Sequence, residues 1–387
     1  MNLTKNIFFI NFNRNKKSNI LKKNFYEIIE NKNEVLNSLK PNYNYSYSNN
    51  FIKKIKNKLD CRIIGMGGSI LGTKAIYKFL KHKIKKKVYF VDNLESYKKS
   101  TNSKNFFNII VSKSGNTLET ISNVNILLKK SDKNLFITQN DENYLRALAK
   151  KLKSEIIDHN NFIGGRYSVL SEVGMLPASL FGLKEKKFKQ FNNLIKNKNF
   201  VNSLIRNAAN IIFYINNKKY NSIIINYDKD SQELFEWYQQ LVAESLGKND
   251  TGIYPNISLM PKDNHSLMQL YLDGPKKSFY TFFNFINKDS TKLSDKFLLN
   301  SHKYLKNIST NDILSFQKKA TEKVFKKKNI PFRSFQIFKK NEEALGELFT
   351  FFILETILVA KALKINPYDQ PAVELIKKET KNYLVNK

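Results

Sequence analysis

A chain of 387 residues with 41% apolar side chains has room for two domains with buried cores, and its single cysteine, Cys61, excludes an intramolecular disulfide and any multi-cysteine metal cluster. Four histidines (His82, His159, His265 and His302), far apart in sequence, argue against a multi-histidine metal site. The net charge of +33 raises nucleic acid or a membrane surface as a partner, but lysine is spread over the whole chain beside Asn and Ile, as in KHKIKKK (81–87), so it reads as a general polar filler whose field attracts a small anionic substrate.

The N-terminal apolar run is broken by asparagine and lacks a small-residue cleavage site, and no uncharged apolar stretch reaches bilayer-spanning length. The expectation is a cytoplasmic protein with no membrane and no nucleic-acid partner. Residues 1–45 are polar and dotted with aromatics, with one helical stretch near NFYEIIENKNEVLNSL (24–39), and read as an arm or cover. A regular alternation follows. CRIIGMGG (61–68) is a strand ending in glycines, followed by the helix SILGTKAIYKFL (69–80). KKVYFVDN (86–93) is a strand, and FFNIIVSKSGNT (106–117) is another that runs into the helix LETISNVNILLKK (118–130). NLFITQN (134–140) and SEIIDH (154–159) complete the set. The pattern then repeats with NSIIINYD (221–228), the helix SQELFEWYQQLVAESLG (231–247), SFYTFFNFI (278–286), FRSFQIF (332–338) and a long helix EEALGELFTFFILETILVAKALKI (342–365). Continuous apolar strands separated by helices predict α/β architecture with parallel sheets covered on both faces. The expected division is an arm at 1–45, a first α/β domain at 46–195 and a second at 196–387 with its C-terminal helix. The seam falls in the lysine- and asparagine-rich stretch 184–202, and a site is expected in the cleft between the domains.

Several motifs carry chemistry. GMGGSILG (65–72) sits where a strand turns into a helix; its glycines allow close backbone approach and the helix N-terminus favours an anion. Asp92 ends the next strand where a ribose-binding acid would stand, but the third glycine of a dinucleotide fingerprint would fall at Ile70, so that spacing fails and a purely structural turn is the alternative. In VSKSGNTLET (111–120), Ser112, Ser114 and Thr117 crowd the mouth of a helix. A capping box needs one hydroxyl, so three point to a phosphate cradle. Without GxxxxGK[ST], a phosphate monoester fits better than a nucleoside triphosphate. GGRYSVLSEVGMLP (164–177) opens an apolar helix on Arg166, and a guanidinium there requires an anion to meet it. Glu244 in AESLGKND (243–250), His265 in KDNHSLMQLYLDGP (262–275) and Lys377 in INPYDQPAVELIKKET (365–380) are each weak alone: a helical glutamate is usually at the surface, and a lone histidine at a helix start is usually a cap. Together they offer a carboxylate, an imidazole, an ammonium, an arginine and a phosphate cradle, with no metal or cofactor motif, so no metal and no cofactor is expected.

In this order GMGGSILG, SKSGNT, GGRYSVLSEVG, QQLVAESLGK, DNHSLMQLYLDGP and NPYDQPAVELIK resemble the signatures of the glucose-6-phosphate isomerase (phosphoglucose isomerase) family, of the compact bacterial type, over nearly the whole chain. The resemblance implies two SIS-type doubly wound α/β/α domains with parallel sheets. It also implies a glycolytic and gluconeogenic aldose–ketose isomerase that interconverts D-glucose 6-phosphate and D-fructose 6-phosphate through a cis-enediol(ate), working as a homodimer. Residue by residue, it makes Glu244 the base between C1 and C2, and His265 the ring-opening histidine, donated across the dimer interface. Lys377 stands near the ring oxygen and Arg166 meets the charge of the enediolate. Ser112, Ser114 and Thr117, with Lys113 among them, bind the phosphate; Gly68, Ser69, Gly165, Gln240 and Gln370 line the sugar. The alternatives are a dual isomerase that also accepts mannose 6-phosphate, and a non-catalytic sugar-phosphate-binding regulator, which would be expected to have lost Glu244 or His265. Glu172 departs from the family pattern, which leads one to expect a small residue there; six positions from Arg166, it is expected either to pair with that arginine or to face outward.

Overall fold

The computed structural model describes residues 1–13, 18–56, 59–95, 105–286 and 290–386. In chain order the elements are β1 (Ile7–Ile10), α1 (Asn19–Glu30), α2 (Glu34–Ser38), α3 (Asn49–Ile55), β2 (Cys61–Gly65), α4 (Leu71–Phe79), β3 (Val88–Val91), β4 (Phe107–Val111), α5 (Leu118–Leu127), β5 (Lys133–Gln139), α6 (Tyr144–Lys151) and β6 (Glu155–His159). They continue with α7 (Glu172–Leu180), α8 (Glu185–Phe188), α9 (Phe191–Lys196), α10 (Lys198–Asn216), β7 (Asn221–Asn226), α11 (Gln232–Leu246), β8 (Tyr254–Leu259), α12 (Met268–Asp273), β9 (Ser278–Phe285), α13 (Thr310–Lys327), β10 (Phe332–Ile337), α14 (Glu342–Ala362) and α15 (Ala372–Val385).

Strands β2 and β4 are buried at every position, which is why they read as unbroken apolar runs: helices cover both faces of their sheet. That sheet has the order β3-β2-β4-β5-β6, with every neighbouring pair parallel. The second sheet has the order β1-β10-β9-β7-β8 and is parallel except at one edge. There β1 runs antiparallel to β10, with Ile7 opposite Ile337 and Ile10 opposite Ser334. The expected parallel sheets are present, and the second gains one antiparallel edge strand from the start of the segment expected to be an arm.

Buried charge in both sheets is matched by partners, as desolvation requires. Arg62 on β2 donates to Asn108 Oδ1 at 2.8 Å and pairs with Asp132 at 3.2 Å. Arg333 on β10, fully buried, pairs with Glu355 and donates to Asn207 Oδ1 at 3.0 Å and Thr281 Oγ1 at 2.9 Å. Helix α14 is buried almost all round and packs with α10 and α11 in a continuous core that also takes in Cys61, Ile63 and Ile109 of the first sheet. Helices α4 and α11 pack together and join the two halves, with Lys74 3.9 Å from Glu236 and Lys78 3.6 Å from Glu233 along their flank.

The sheet order positions the site. In the first sheet β2 comes first along the chain, β3 lies on one side of it and β4 on the other, so the crossover direction reverses between β2 and β4. In open α/β sheets, ligands bind in the crevice beyond the carboxyl ends of the strands at this reversal. The segments leaving β2 and β4 there are Gly65–Ser69 and Ser112–Thr117.

Glu172, at the start of α7, does neither of the two things expected of it. It is 2% exposed and faces the segment between α2 and α3, accepting from Tyr43 Oη at 3.0 Å and from the Ser46 N–H at 3.4 Å, with His159 Nδ1 3.8 Å away. Lys189, also buried, donates to the carbonyls of Ser38 and Leu170 and lies 5.0 and 4.9 Å from the ring centres of Tyr43 and Tyr45. These two charges bind the N-terminal segment to the carboxyl end of β6 and to the turn that carries Arg166.

Candidate active site

Helix α11 places Gln240 and Glu244 one turn apart on one face. Gln240 Nε2 donates to Glu244 Oε1 at 2.8 Å, while Gln240 Oε1 is buried with no hydrogen-bond partner among the described residues. A buried amide oxygen left this way is an acceptor for a ligand hydroxyl. Gln240 also sets the chemistry of the turn opposite: a Cβ on Gly67 would lie 2.8 Å from Gln240 Nε2, and Gly67 has φ +52°, so both space and backbone call for glycine.

Arg166 lies in a 3₁₀ turn over Gly165–Leu170 and is 1% exposed. Its backbone carbonyl accepts from Trp237 Nε1 at 3.1 Å. All five N–H donors of the guanidinium are engaged. Nε donates to Ser245 Oγ at 2.9 Å; Nη1 donates to Glu244 Oε2 at 2.9 Å and to Gln370 Oε1; Nη2 donates to the carbonyls of Pro367 at 2.7 Å and Asp369 at 2.9 Å. Tyr167 Oη lies 2.8 Å from Ser245 Oγ and donates to Pro367 O at 3.1 Å. Gly68 and Gly165 stand back to back: a Cβ on Gly68 would fall 2.1 Å from Gly165 C and 2.5 Å from Arg166 N, so the β2 turn and the arginine turn touch through bare backbone.

Beside this cluster lies the hydroxyl-rich turn. Thr117 is the N-cap of α5, yet its hydroxyl makes no capping bond; it lies 2.9 Å from Ser112 Oγ instead. The helix mouth, with its positive dipole end, is left to a ligand. Ser114 is exposed and its Oγ accepts from the Asn116 N–H at 3.3 Å. Gly115, with φ +64°, has no room for a Cβ, which would fall 1.9 Å from Asn143 Oδ1. Lys113 Nζ donates to Asn161 O at 2.7 Å, and its pKa is lowered by burial and by the nearby charge of Arg166. Two cations that repel each other in one crevice favour an anion between them. Ser69 is half-buried in the turn after β2.

A cleft of about 1100 Å³ opens over Glu244 and Gln370, walled by residues 247–255 on one side and 364–373 on the other. The structure therefore brings together Arg166, Glu244, Gln240 and Gln370, with Gly68 and Gly165 beneath and Lys113 coupled to the arginine. It does not bring His265 or Lys377 to them. His265 ends a 3₁₀ turn over Lys262–Asn264 and is exposed; no hydrogen bond or ion pair among the described residues joins its ring to Glu244 or Arg166. Lys377 lies on the exposed helix α15 and pairs with Glu374 at 2.6 Å. Sequence reasoning missed Ser245, Tyr167, Trp237 and the carbonyls of Pro367 and Asp369. The first three stand inside or beside the quoted motifs, but a backbone carbonyl has no signature in a sequence.

The phosphoglucose isomerase family model matches residues 2–386. A glucose-6-phosphate isomerase of Methanocaldococcus jannaschii is 32% identical over 340 residues, 82% of each chain. One from Mycoplasmopsis synoviae is 31% identical, over 84% of this chain and 82% of the relative. Among solved structures, a hypothetical protein of Thermus thermophilus superposes with a TM-score of 0.82 at 21% identity, covering 94% of both chains. A glucose-6-phosphate isomerase of Chlamydia trachomatis superposes with a TM-score of 0.70 at 18% identity, covering 96% of this chain and 76% of the other. These two share the fold predicted from the strand–helix alternation. With its family model spanning the chain from end to end, this protein belongs to the phosphoglucose isomerase family.

Proposed function

We infer that the chain is an aldose–ketose isomerase that interconverts D-glucose 6-phosphate and D-fructose 6-phosphate. The observation that carries the reading is the carboxylate of Glu244, held on both oxygens by Arg166 and Gln240 beside a hydroxyl-rich helix mouth. With the phosphate at Ser112, Ser114, Thr117 and Lys113, the sugar carbons extend toward Gly68, Ser69, Gln240 and Gln370. Glu244 takes the proton from C2 of the open-chain aldose, leaving the cis-enediolate, and returns it to C1, while the hydroxyl proton passes from O2 to O1, to give the ketose. As the carboxylate is protonated, its charge passes to the enediolate oxygens in front of the same guanidinium. The Nη1 donors shared by Glu244 and Gln370 can then turn to the new oxyanion. A fixed donor at such a site is worth about 3–4 kcal/mol of transition-state stabilisation. Binding energy from the phosphate, remote from C1 and C2, orients the reacting carbons.

The reading includes a homodimer in which His265 of one subunit opens the ring in the site of the other. The exposure of His265 supports this, as does the uncovered apolar surface of α15, where Leu375 is 70% and Tyr383 80% exposed. Lys377 would approach the sugar by docking of α15 across the cleft that Ala372 and Val373 border. We also assign the chain to the cytoplasm; no helix among the described residues is long and apolar enough to cross a membrane. The proposed division at about 45 and 195 is supported by one sheet spanning Cys61–His159 and another built mainly from Asn221–Ile337. The test is a coupled assay on the purified protein, supplied with fructose 6-phosphate in the presence of EDTA and read as glucose 6-phosphate. Turnover supports the reading and makes mannose 6-phosphate the next substrate; sugar-phosphate binding without turnover supports the regulator instead.

A further inference from the structure

The segment 366–370 has no regular secondary structure, yet it supplies three of the five acceptors of Arg166 and ends on Gln370. Irregular backbone holds a fixed shape only where side chains tie it down. Inside the turn, the Tyr368 N–H donates to Asn366 Oδ1 and Asn366 Nδ2 donates to Asp369 Oδ2, both at 3.0 Å. On its outer edge stands Lys248, whose Nζ donates to the carbonyl of Asn366 and to Asp369 Oδ1 at 2.6 Å. The lysine side chain is 13% exposed, and this contact is the first cause of the lowered pKa of Asp369.

Lys248 is itself fixed. Helix α11 stops at Gly247, whose N–H donates to Ala243 O at 3.0 Å, and a Cβ on that glycine would meet the same carbonyl at 2.7 Å. The Lys248 backbone then exchanges hydrogen bonds with Thr251, at 3.2 and 3.0 Å. Lys248 thus leaves α11 four residues after Glu244 and reaches the turn that positions Arg166 and Gln370. An exposed ion pair contributes little to stability as such. This one closes a ring of contacts from Glu244 through Arg166, the 366–370 turn and Lys248 back to the end of the same helix.

We propose that Lys248 and Asp369 are a pair of positioning residues, a latch that fixes the 366–370 turn against the end of α11 and so sets Arg166 and Gln370 relative to the Glu244 carboxylate. The effect on turnover rests on the reading of Glu244 as the base. Lys248→Met and Asp369→Asn, singly and together, are compared with Lys248→Arg for kcat and KM on fructose 6-phosphate. Loosening the turn lowers kcat by about 10- to 100-fold, the range expected when catalytic groups are misplaced by an ångström. KM, set largely by the phosphate cradle away from the latch, changes by less than about threefold. The double variant is no worse than either single one, because the two residues act as a unit, and Lys248→Arg restores most of kcat. A Lys248→Met enzyme with kcat within about twofold of wild type overturns the proposal, as do losses that multiply in the double variant. Hydrogen–deuterium exchange reads the latch without activity: the amides of Tyr368, Asp369 and Gln370 exchange faster in Lys248→Met. Unchanged exchange overturns the latch, whereas faster exchange in a chain without isomerase turnover upholds it and places the failure in the functional reading.

Discussion

The guanidinium of Arg166 and the carboxylate of Glu244 meet at 2.9 Å, the arginine 1% exposed and the glutamate partly open to the cleft. The buried cation thus meets the cleft through Glu244 Oε2, with its other donors engaged by Ser245, Gln370 and two backbone carbonyls. Lysine cannot reproduce this fork of donors. Arg166→Lys is expected to lower kcat by about 10²- to 10³-fold, as loss of an oxyanion donor does, while sugar-phosphate binding persists through the hydroxyl-rich turn. Steady-state kinetics with a direct binding measurement check it; a kcat near wild type would remove the arginine from the reaction.

Gly68 tests the contact between the two turns. An added Cβ would fall 2.1 Å from Gly165 C, in rigid backbone that has nothing flexible to move aside. Gly68→Ala therefore pushes the arginine turn away from the β2 turn, and kcat/KM is expected to fall by about 10²-fold. Activity within a few-fold of wild type would show that the two turns need no such approach.

The exposure of His265 makes a prediction about subunits. If its imidazole enters the partner's site, inactive His265→Ala and Glu244→Gln chains, mixed and allowed to exchange, regain activity, because each heterodimer contains one complete site. Random pairing into symmetric dimers gives about a quarter of the wild-type value. No recovery, with heterodimers demonstrated, would place both groups in one subunit's site.

Lys189 gives a pH dependence of stability. Burial lowers its pKa to about 7, against the opposing pull of Glu172 and Glu185. The folded state therefore binds fewer protons at this amine than the unfolded chain does between about pH 7 and pH 10. The contribution to stability is full above the ordinary lysine pKa and is lost as the pH falls through about 7. Stability of the wild type is expected to rise relative to Lys189→Met between pH 7 and 10, with a slope bounded by about 1.4 kcal/mol per pH unit for one proton. Denaturant midpoints at several pH values measure it, and parallel profiles for the two proteins would contradict it.

The parts of the fold legible in the sequence are those that packing dictates locally. CRIIG and FNIIV could only be strands covered on both faces, and the reading of helices around them follows. Strand β1 was not legible because IFFI sits in a polar segment and finds its partner at Ile337, across the chain. Neither was β8, an edge strand whose YPNISL is mostly half-exposed and carries Pro255, nor α13, whose lysine-rich surface buries little beyond Lys318 and Phe325. In the site, hydroxyls crowded at Ser112–Thr117 were legible because a helix cap needs fewer. The carbonyls of Pro367 and Asp369 were not, since any residue supplies a carbonyl. Glu172 was misjudged because its distance from Arg166 along the chain does not reveal that the first turn of α7 points the carboxylate at Tyr43.

The central claim is that Glu244 moves a proton between two carbons of a sugar phosphate. The most direct measurement is the coupled conversion of fructose 6-phosphate to glucose 6-phosphate by wild type and Glu244→Gln, with sugar-phosphate binding measured on both. The account predicts turnover by the wild type, and a loss of about 10²- to 10⁴-fold in the variant, the usual contribution of a general base, with binding retained. Undiminished turnover by Glu244→Gln would contradict it.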